Sequence, residues 1–392
     1  MTSLQILADA NIPRVEDAFG QFGTVRRMPG REMTTSDVAA ADVLLVRSVT
    51  PVGPALLDGT SLRFVGSATI GTDHVDRDYL RAQGIPFAHA PGSNADSVAD
   101  YVVAALLGLA RRRGGALEER TVGIVGCGNI GGRLARRLSA LGMEVLRNDP
   151  PRARAAAADG PGPEFVPLDT VLGAADVVTL HVPLKASGPD PTHHLVDAAF
   201  LDRLGDGAWL LNTSRGAVVD GDALLAARRR GDVAAAVLDV WENEPSPNPA
   251  LIEAVDLATP HIAGYAYDGK VRGTEMLYEA LCQALGAEAQ WAGTDAIRPA
   301  SADALRGRAP DPRLSATEWR FELARQAYDP AVDDASLRDL VKLGPDARGE
   351  AFAQLRAGYR RRREMQQHTV PAAAVPAEHE QAVTEGLKMK LD

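Results

Sequence analysis

The chain has 392 residues, 45% of them hydrophobic, and a formal charge of 42 − 52 = −10; that length calls for two or three domains with a sizeable core, and that charge argues against a general polyanion binder. Its two cysteines, Cys127 and Cys282, exclude a disulfide framework and fit a reducing cytoplasm. Met1 to Pro13 lacks a basic start followed by an apolar run, and no stretch of about eighteen apolar residues exists, so neither a secretory signal nor a membrane span is expected.

Leu4 to Ala8 reads as a first strand, followed by a turn at Asn11 and Pro13 and a short helix. Asp42 to Val46 reads as a buried strand running into Arg47, Ser48, Val49 and Thr50, and Arg63 to Ala68 as another running into Thr69. Polar groups at the carboxyl ends of such strands are where an open α/β sheet presents ligand contacts. Asp73 to Gln83 reads as a helix capped by Asp73, and Ile85 to Ala88 as a strand. Asn94 to Arg113 reads as a long helix, apolar along one side and placed to link this first unit to the next.

The best-marked stretch follows, TVGIVGCGNIGGRLARRLSALGMEVLRND over Thr121 to Asp149. Val122 to Val125 reads as a buried strand, Asn129 to Leu141 as a helix with Ile130, Leu134, Leu138 and Leu141 on one face, and Met143 to Leu146 as a second strand. Gly126, Gly128 and Gly131 stand in the order G-x-G-x-x-G between strand and helix. The first permits a tight turn, the second a close approach of backbone to a pyrophosphate, and the third the packing of helix on strand. The helix start at Asn129 and Ile130 offers unpaired N–H groups to the phosphates. Asp149 lies where a carboxylate holds a ribose 2′-hydroxyl and repels a 2′-phosphate, so NAD is expected as cofactor rather than NADP.

Strand and helix then alternate: strands at Val177–Val182, Gly207–Leu211, Val233–Leu238 and Asp256–Ala258, helices at Asp197–Leu204, Asp220–Arg230 and Asp268–Leu285. Repeated β-α units with apolar strands imply a doubly wound parallel sheet. Arg215 follows one strand, Asp239 and Glu244 another, His261 the last. An Arg, a Glu and a His gathered at that edge suit oxidation of a hydroxy acid. The guanidinium grips a carboxylate, the imidazole accepts the hydroxyl proton, and the Glu orients the imidazole. No histidine or cysteine spacing matches a metal site, and none is expected. Arg111–Arg113 and Arg228–Arg230 read as solvated helix ends.

Residues 286 to 311 read as a linker rich in Ala, Gly, Asp and Pro. Glu318 to Gly358 carries two or three helical patterns, and Gln366 to Gly386, poor in large apolar residues, is expected to be loosely ordered.

The fingerprint, NTSRGAVV at Asn212–Val219, DVWENEP at Asp239–Pro245 and HIAGY at His261–Tyr265, taken jointly and in this order, resemble the D-isomer-specific 2-hydroxyacid dehydrogenase family over Leu4 to Leu285. VRSVT at Val46–Thr50, FVGSATIGTDHVD at Phe64–Asp76, APGSN at Ala90–Asn94 and the C-terminal YDPAVDDASLR and LRAGYRRRRE resemble a branch of it that acts on a small phosphorylated 2-hydroxy acid.

The resemblance implies an α/β fold with two Rossmann-like doubly wound parallel-sheet domains plus a small C-terminal α/β dimerisation domain. It divides the chain into a substrate domain over 1–95 completed by 264–285, an NAD domain over 96–263, and a linker and dimerisation domain over 286–392. Hinge closure over the substrate is expected. Arg215 would bind the substrate carboxylate, His261 would exchange the proton and Glu244 would be its partner. Ser48, Thr69 and Tyr265 would contact substrate; Asp149, Asp239 and Gly264 would contact NAD. Arg47, and an arginine within 356–363 of a partner subunit, are candidates for the phosphate. The resemblance implies a homodimer, while the charge, the cysteines and the lack of a long apolar run lead to the expectation of a cytoplasmic protein that binds neither nucleic acid nor membrane. Two rivals stay open: a relative acting on phosphoglycerate, glycerate or a glyoxylate-type acid, and a non-catalytic NAD-sensing corepressor that keeps the fold for partner binding.

Overall fold

The computed structural model describes residues 3–159, 164–293, 297 and 310–392. Two compact units emerge, one of residues 1–94 and 265–298, the other of residues 95–264 and 299–392.

The first unit is built on five parallel strands: β1 Leu4–Asp9, β2 Gly23–Met28, β3 Val43–Val46, β4 Phe64–Ser67 and β5 Phe87–His89, in the order β2-β1-β3-β4-β5. β3 and β4 are buried throughout, as their unbroken apolar runs demand. β2 escapes a reading from sequence because it is an edge strand, half exposed, with Arg26 and Arg27 in place of an apolar run. The helix expected from Asp73 begins only at Arg77, and its cap is Asp76, which accepts from the Tyr79 N–H at 2.9 Å. Asp73 and His74 form a turn closed by the Val75 N–H on the Thr72 carbonyl, and Val75 then bridges to Val52, so the helix starts only after Asp76. One apolar cluster, around Leu4, Ile6 and Phe19, is closed by Leu277, Tyr278 and Leu281 of the Tyr267–Leu285 helix. A second, around Leu7, Val38, Leu44 and Leu80, fills the other face.

The second unit has six parallel strands: β6 Thr121–Val125, β7 Glu144–Asn148, β8 Val177–Leu180, β9 Trp209–Asn212, β10 Ala235–Leu238 and β11 Leu257–Ala258. Their order, β11-β10-β9-β8-β6-β7, reverses direction between β6 and β8, which makes that edge the topological switch point where such sheets bind ligands. The Ala95–Arg113 helix is buried from Ala95 to Ala110 except at half-buried Asp96, and Asp100 and Tyr101 are among its buried residues. The arginine runs end their helices, but Arg228 is not the solvated residue expected: its side chain, 14% exposed, donates to the carbonyls of Ala254, Val233 and Ala234 and pairs with Asp256, which Arg113 also meets.

The C-terminal residues cluster with this second unit. They form the helices Ala316–Ala327, Ala331–Arg338 and Pro345–Ala357, and a two-stranded parallel sheet of β12 Thr369–Val370 and β13 Lys390–Leu391. The stretch expected to be loose is instead packed: Val370, Ala382 and Val383 are buried, as are Leu387 and Met389 just beyond it. Its small apolar residues fit where large ones would not, and a Cβ on Gly386 would lie 2.7 Å from Leu141 Cδ2. Most of the linker expected over 286–311 lies outside the described residues.

Candidate active site

In the second unit the glycine turn ends β6. Gly126 has φ +90°, and a Cβ there would lie 2.6 Å from the His181 carbonyl oxygen. A Cβ on Gly131 would lie 2.0 Å from the Gly126 carbonyl oxygen, so helix and strand touch through bare backbone. At Gly128 a Cβ would meet nothing within 4 Å, which leaves an open approach to the turn. Asp149 Oδ2 accepts from the Cys127 N–H at 2.8 Å and Oδ1 from the Arg152 N–H at 3.1 Å, fixing the carboxylate beside that turn. A cleft of about 530 Å³ opens here, lined among others by Cys127, Gly128, Asn129, Arg133 and Arg147. An open glycine turn, a helix start at Asn129 and Ile130 and an anchored acid together fit a dinucleotide.

Asp239, at the end of β10, is buried and shapes the neighbouring loop. It accepts from Thr259 Oγ1 at 2.6 Å, from the Ile262 N–H at 2.8 Å and from the Ala263 N–H at 2.9 Å. Burial pushes its carboxyl up, against the opposing pull of His261 and these donors. His261 thereby sits with φ 56°, a left-handed conformation uncommon for any residue but glycine, and its N–H donates to the Asp239 carbonyl at 2.7 Å. His261 Nδ1 lies 2.8 Å from Glu244 Oε2, and Glu244 Oε1 accepts from the Trp241 N–H at 3.0 Å. Burial raises the Glu244 carboxyl, but His261, Arg356 and the Trp241 N–H outweigh it and hold it below the ordinary glutamate range. Arg356 Nη1 stands 3.8 Å from the same Oε2.

Arg215 follows β9. Asn212 Nδ2 donates to the Arg215 carbonyl at 2.9 Å, and Arg215 Nη1 to the Ser214 carbonyl at 2.8 Å. A Cβ on Gly216 would lie 1.9 Å from the Trp241 carbonyl oxygen, so the arginine loop lies directly on the segment that leads to Glu244.

In the first unit, Arg47 and an exposed Ser48 follow β3, Thr69 follows β4 and Tyr265 precedes the Tyr267–Leu285 helix. Thr69 Oγ1 lies 2.7 Å from Ser67 Oγ and donates to the Gly71 carbonyl at 2.9 Å. The Arg47 guanidinium lies 5.8 Å from the Tyr265 ring centroid and the Lys270 ammonium 4.3 Å from it. Gly264 closes the His261 loop on the second unit.

Three more residues join these sites: Lys270 and His181, unannounced by the sequence, and Arg356, from the run expected to supply a phosphate ligand from a partner subunit. Lys270 lies in the first turn of the Tyr267–Leu285 helix, and its ammonium reaches back over the ring of Tyr265 just before that helix. His181 follows β8 at the switch point, with its ring 3.0 Å from Thr179 Oγ1, and desolvation drives its pKa down to about 3, which keeps it neutral. Arg356 belongs to the C-terminal basic region, where Arg360 pairs with Asp333 and Arg362 donates to the carbonyls of Ser97 and Ala263. Among the described residues no group of three or more His, Cys, Asp or Glu side chains is placed to hold a metal ion.

Comparison with known proteins bears on this arrangement. The family model for the D-isomer specific 2-hydroxyacid dehydrogenase NAD binding domain matches residues 100–263. An erythronate-4-phosphate dehydrogenase of Salinibacter ruber is 97% identical over the full length of both chains. Another, of Marinobacter nauticus, is 47% identical over 92% of each. Among solved structures, the D-lactate dehydrogenase of Aquifex aeolicus complexed with NAD and lactic acid aligns with TM-score 0.60 at 26% identity, covering 72% of this chain and 96% of that one. With the glycine turn, the Arg215 loop and the Glu244–His261 pair standing at the strand ends that this fold reserves for ligands, and with full-length relatives agreeing, the chain belongs to the D-isomer-specific 2-hydroxyacid dehydrogenase family, in its erythronate-4-phosphate dehydrogenase branch.

Proposed function

We propose that this chain oxidises 4-phospho-D-erythronate to (R)-3-hydroxy-2-oxo-4-phosphobutanoate with NAD, an early step in the synthesis of pyridoxine 5′-phosphate. The observation that carries it is the His261 Nδ1–Glu244 Oε2 contact of 2.8 Å at a sheet edge shared with the glycine turn, in a chain 97% identical to a protein of that name. The bound nicotinamide supplies the hydride acceptor.

The chain's own residues supply the rest. With Nδ1 facing Glu244, the ring carries its proton there and presents Nε2 to the substrate hydroxyl, whose proton it accepts as C2 loses hydride. Glu244 stays ionised and stabilises the imidazolium that forms. Arg215 binds the carboxylate. Ser48, Thr69 and Tyr265 bind the hydroxyl-bearing chain of the acid, and Arg47, with Lys270 beside it, binds the phosphate. Gly126, Gly128, Asn129, Ile130 and Gly131 hold the pyrophosphate, Asp149 the ribose, and Asp239 and Gly264 the nicotinamide end.

Following NADH absorbance while offering a panel of hydroxy acids tests this reading. Turnover of 4-phospho-D-erythronate well above 3-phosphoglycerate, glycerate and glycolate is expected; preference for one of the others overturns the substrate, and no turnover of any overturns the activity.

The chain is further proposed to be a cytoplasmic homodimer. Supporting this, Val332 and Leu343, 55% and 39% exposed, lie in the C-terminal segment. The cysteines are free and buried, and among the described residues no helix is long and apolar enough to cross a membrane. Light scattering after gel filtration reads the mass directly.

A further inference from the structure

His261 and Arg356 share one oxygen. Glu244 Oε2 lies 2.8 Å from His261 Nδ1 and 3.8 Å from Arg356 Nη1. The Arg356 side chain is 16% exposed, so water screens this contact little. Its position is imposed by docking of the Pro345–Ala357 helix on the segment that carries Glu244. A Cβ on Gly349 would lie 2.7 Å from Ser246 Oγ, and Phe352 is buried in the core of the second unit together with Leu337. Further along, Arg362 donates to the carbonyl of Ala263, two residues beyond His261. The C-terminal segment therefore touches both members of the pair or their immediate neighbours.

We propose that Arg356 is a positioning residue for the Glu244–His261 pair: by sharing Oε2 it steadies the carboxylate and limits how strongly that carboxylate favours a protonated His261. The role rests on the dehydrogenase reading for its consequence in turnover, but the interaction itself does not. A carboxylate beside an imidazole strengthens the imidazole's hold on its proton. A cation on the same oxygen offsets part of that attraction. The charged groups brought to bear on the pair are Asp239 from the end of β10, Glu244 itself and Arg356. Arg360 and Arg362 are engaged elsewhere, by Asp333 and by the Ser97 and Ala263 carbonyls.

The test is an NMR titration of the His261 ring in the full-length protein, its signal assigned by loss in His261→Asn. In Arg356→Gln the midpoint should rise by roughly half a pH unit, because a positive neighbour is gone. In Arg356→Lys it should rise by less, since the shorter-reaching ammonium stays charged. The acidic limb of kcat/KM for the oxidation should move the same way, with KM for the acid changed less than about twofold. A midpoint unmoved in folded Arg356→Gln overturns the proposal, as does a KM raised about tenfold with the midpoint unmoved, which would make Arg356 a substrate ligand. Should Arg356→Gln not fold, Arg356→Lys decides by the same criterion of a raised or unmoved midpoint. A wild-type protein inactive with every acid would sink the proposed function and still leave the titration to judge Arg356.

Discussion

Arg137 donates to Asp100 Oδ1 at 2.7 Å with both side chains almost fully buried, 1% and 4% exposed. Arg137 lies on the helix opened by the glycine fingerprint, and Asp100 on the long Ala95–Arg113 helix. The same guanidinium donates to the carbonyls of Gly386 at 2.7 Å and Leu387 at 3.3 Å, so one side chain ties cofactor helix, long helix and chain end together. Replacing it by methionine leaves a buried carboxylate uncompensated, and a loss of about 3–5 kcal/mol is expected. Thermal unfolding measures the loss, and faster amide exchange over 382–391 should accompany it.

Asp100 has a pH signature. Desolvation raises its pKa from 3.8 to about 6, with Arg137 opposing and Glu364 adding to the rise. A folded-state pKa above the unfolded one means that the folded chain binds the extra proton between these values. The stability from this group is therefore fully present below about pH 4 and lost as pH rises through about 6. Asp100→Asn removes the dependence, so its stability deficit relative to wild type should widen as pH falls from about 6 to about 4 in a series of denaturant melts.

The glycine turn separates fold from cofactor. Gly131→Ala drives a Cβ to 2.0 Å from backbone and should lower the melting temperature along with NAD affinity. Gly128→Ala meets no protein atom within 4 Å, so it should melt like wild type. Its methyl stands where the pyrophosphate approaches, and NAD affinity should fall about tenfold or more, read by calorimetry.

Turnover should divide between the catalytic pair. His261→Ala removes the proton acceptor and should lower kcat about a hundredfold to ten-thousandfold with NAD binding kept. Glu244→Gln keeps the shape but not the charge and should cost about ten- to a hundredfold. Steady-state kinetics at saturating acid distinguish the two.

The phosphate should be read by cations near Tyr265. Arg47→Ala and Lys270→Ala each remove one charge-assisted contact, worth about 1.5–3 kcal/mol, and should raise KM for the phosphorylated acid about ten- to a hundredfold. An unchanged KM in either variant excludes that residue as a ligand. The same variants tested on an unphosphorylated analogue should show little change.

The strand-to-helix rhythm, the cofactor turn and the motifs carrying Arg215, Glu244 and His261 were legible from residues alone. Each is local: apolar runs of four or five residues make buried strands, and glycines at fixed spacing make a turn that tolerates no Cβ. Tertiary structure decided what local pattern does not encode. Edge strand β2 owes its place to pairing with β1 rather than to an apolar run. The segment beyond Gln366 owes its order to Arg137 and Leu141, more than two hundred residues earlier. Arg356 gained its place beside Glu244 only when a helix far from the fingerprint docked. Side-chain period reports the face a residue occupies, but the charge it meets there depends on packing between elements distant in the chain.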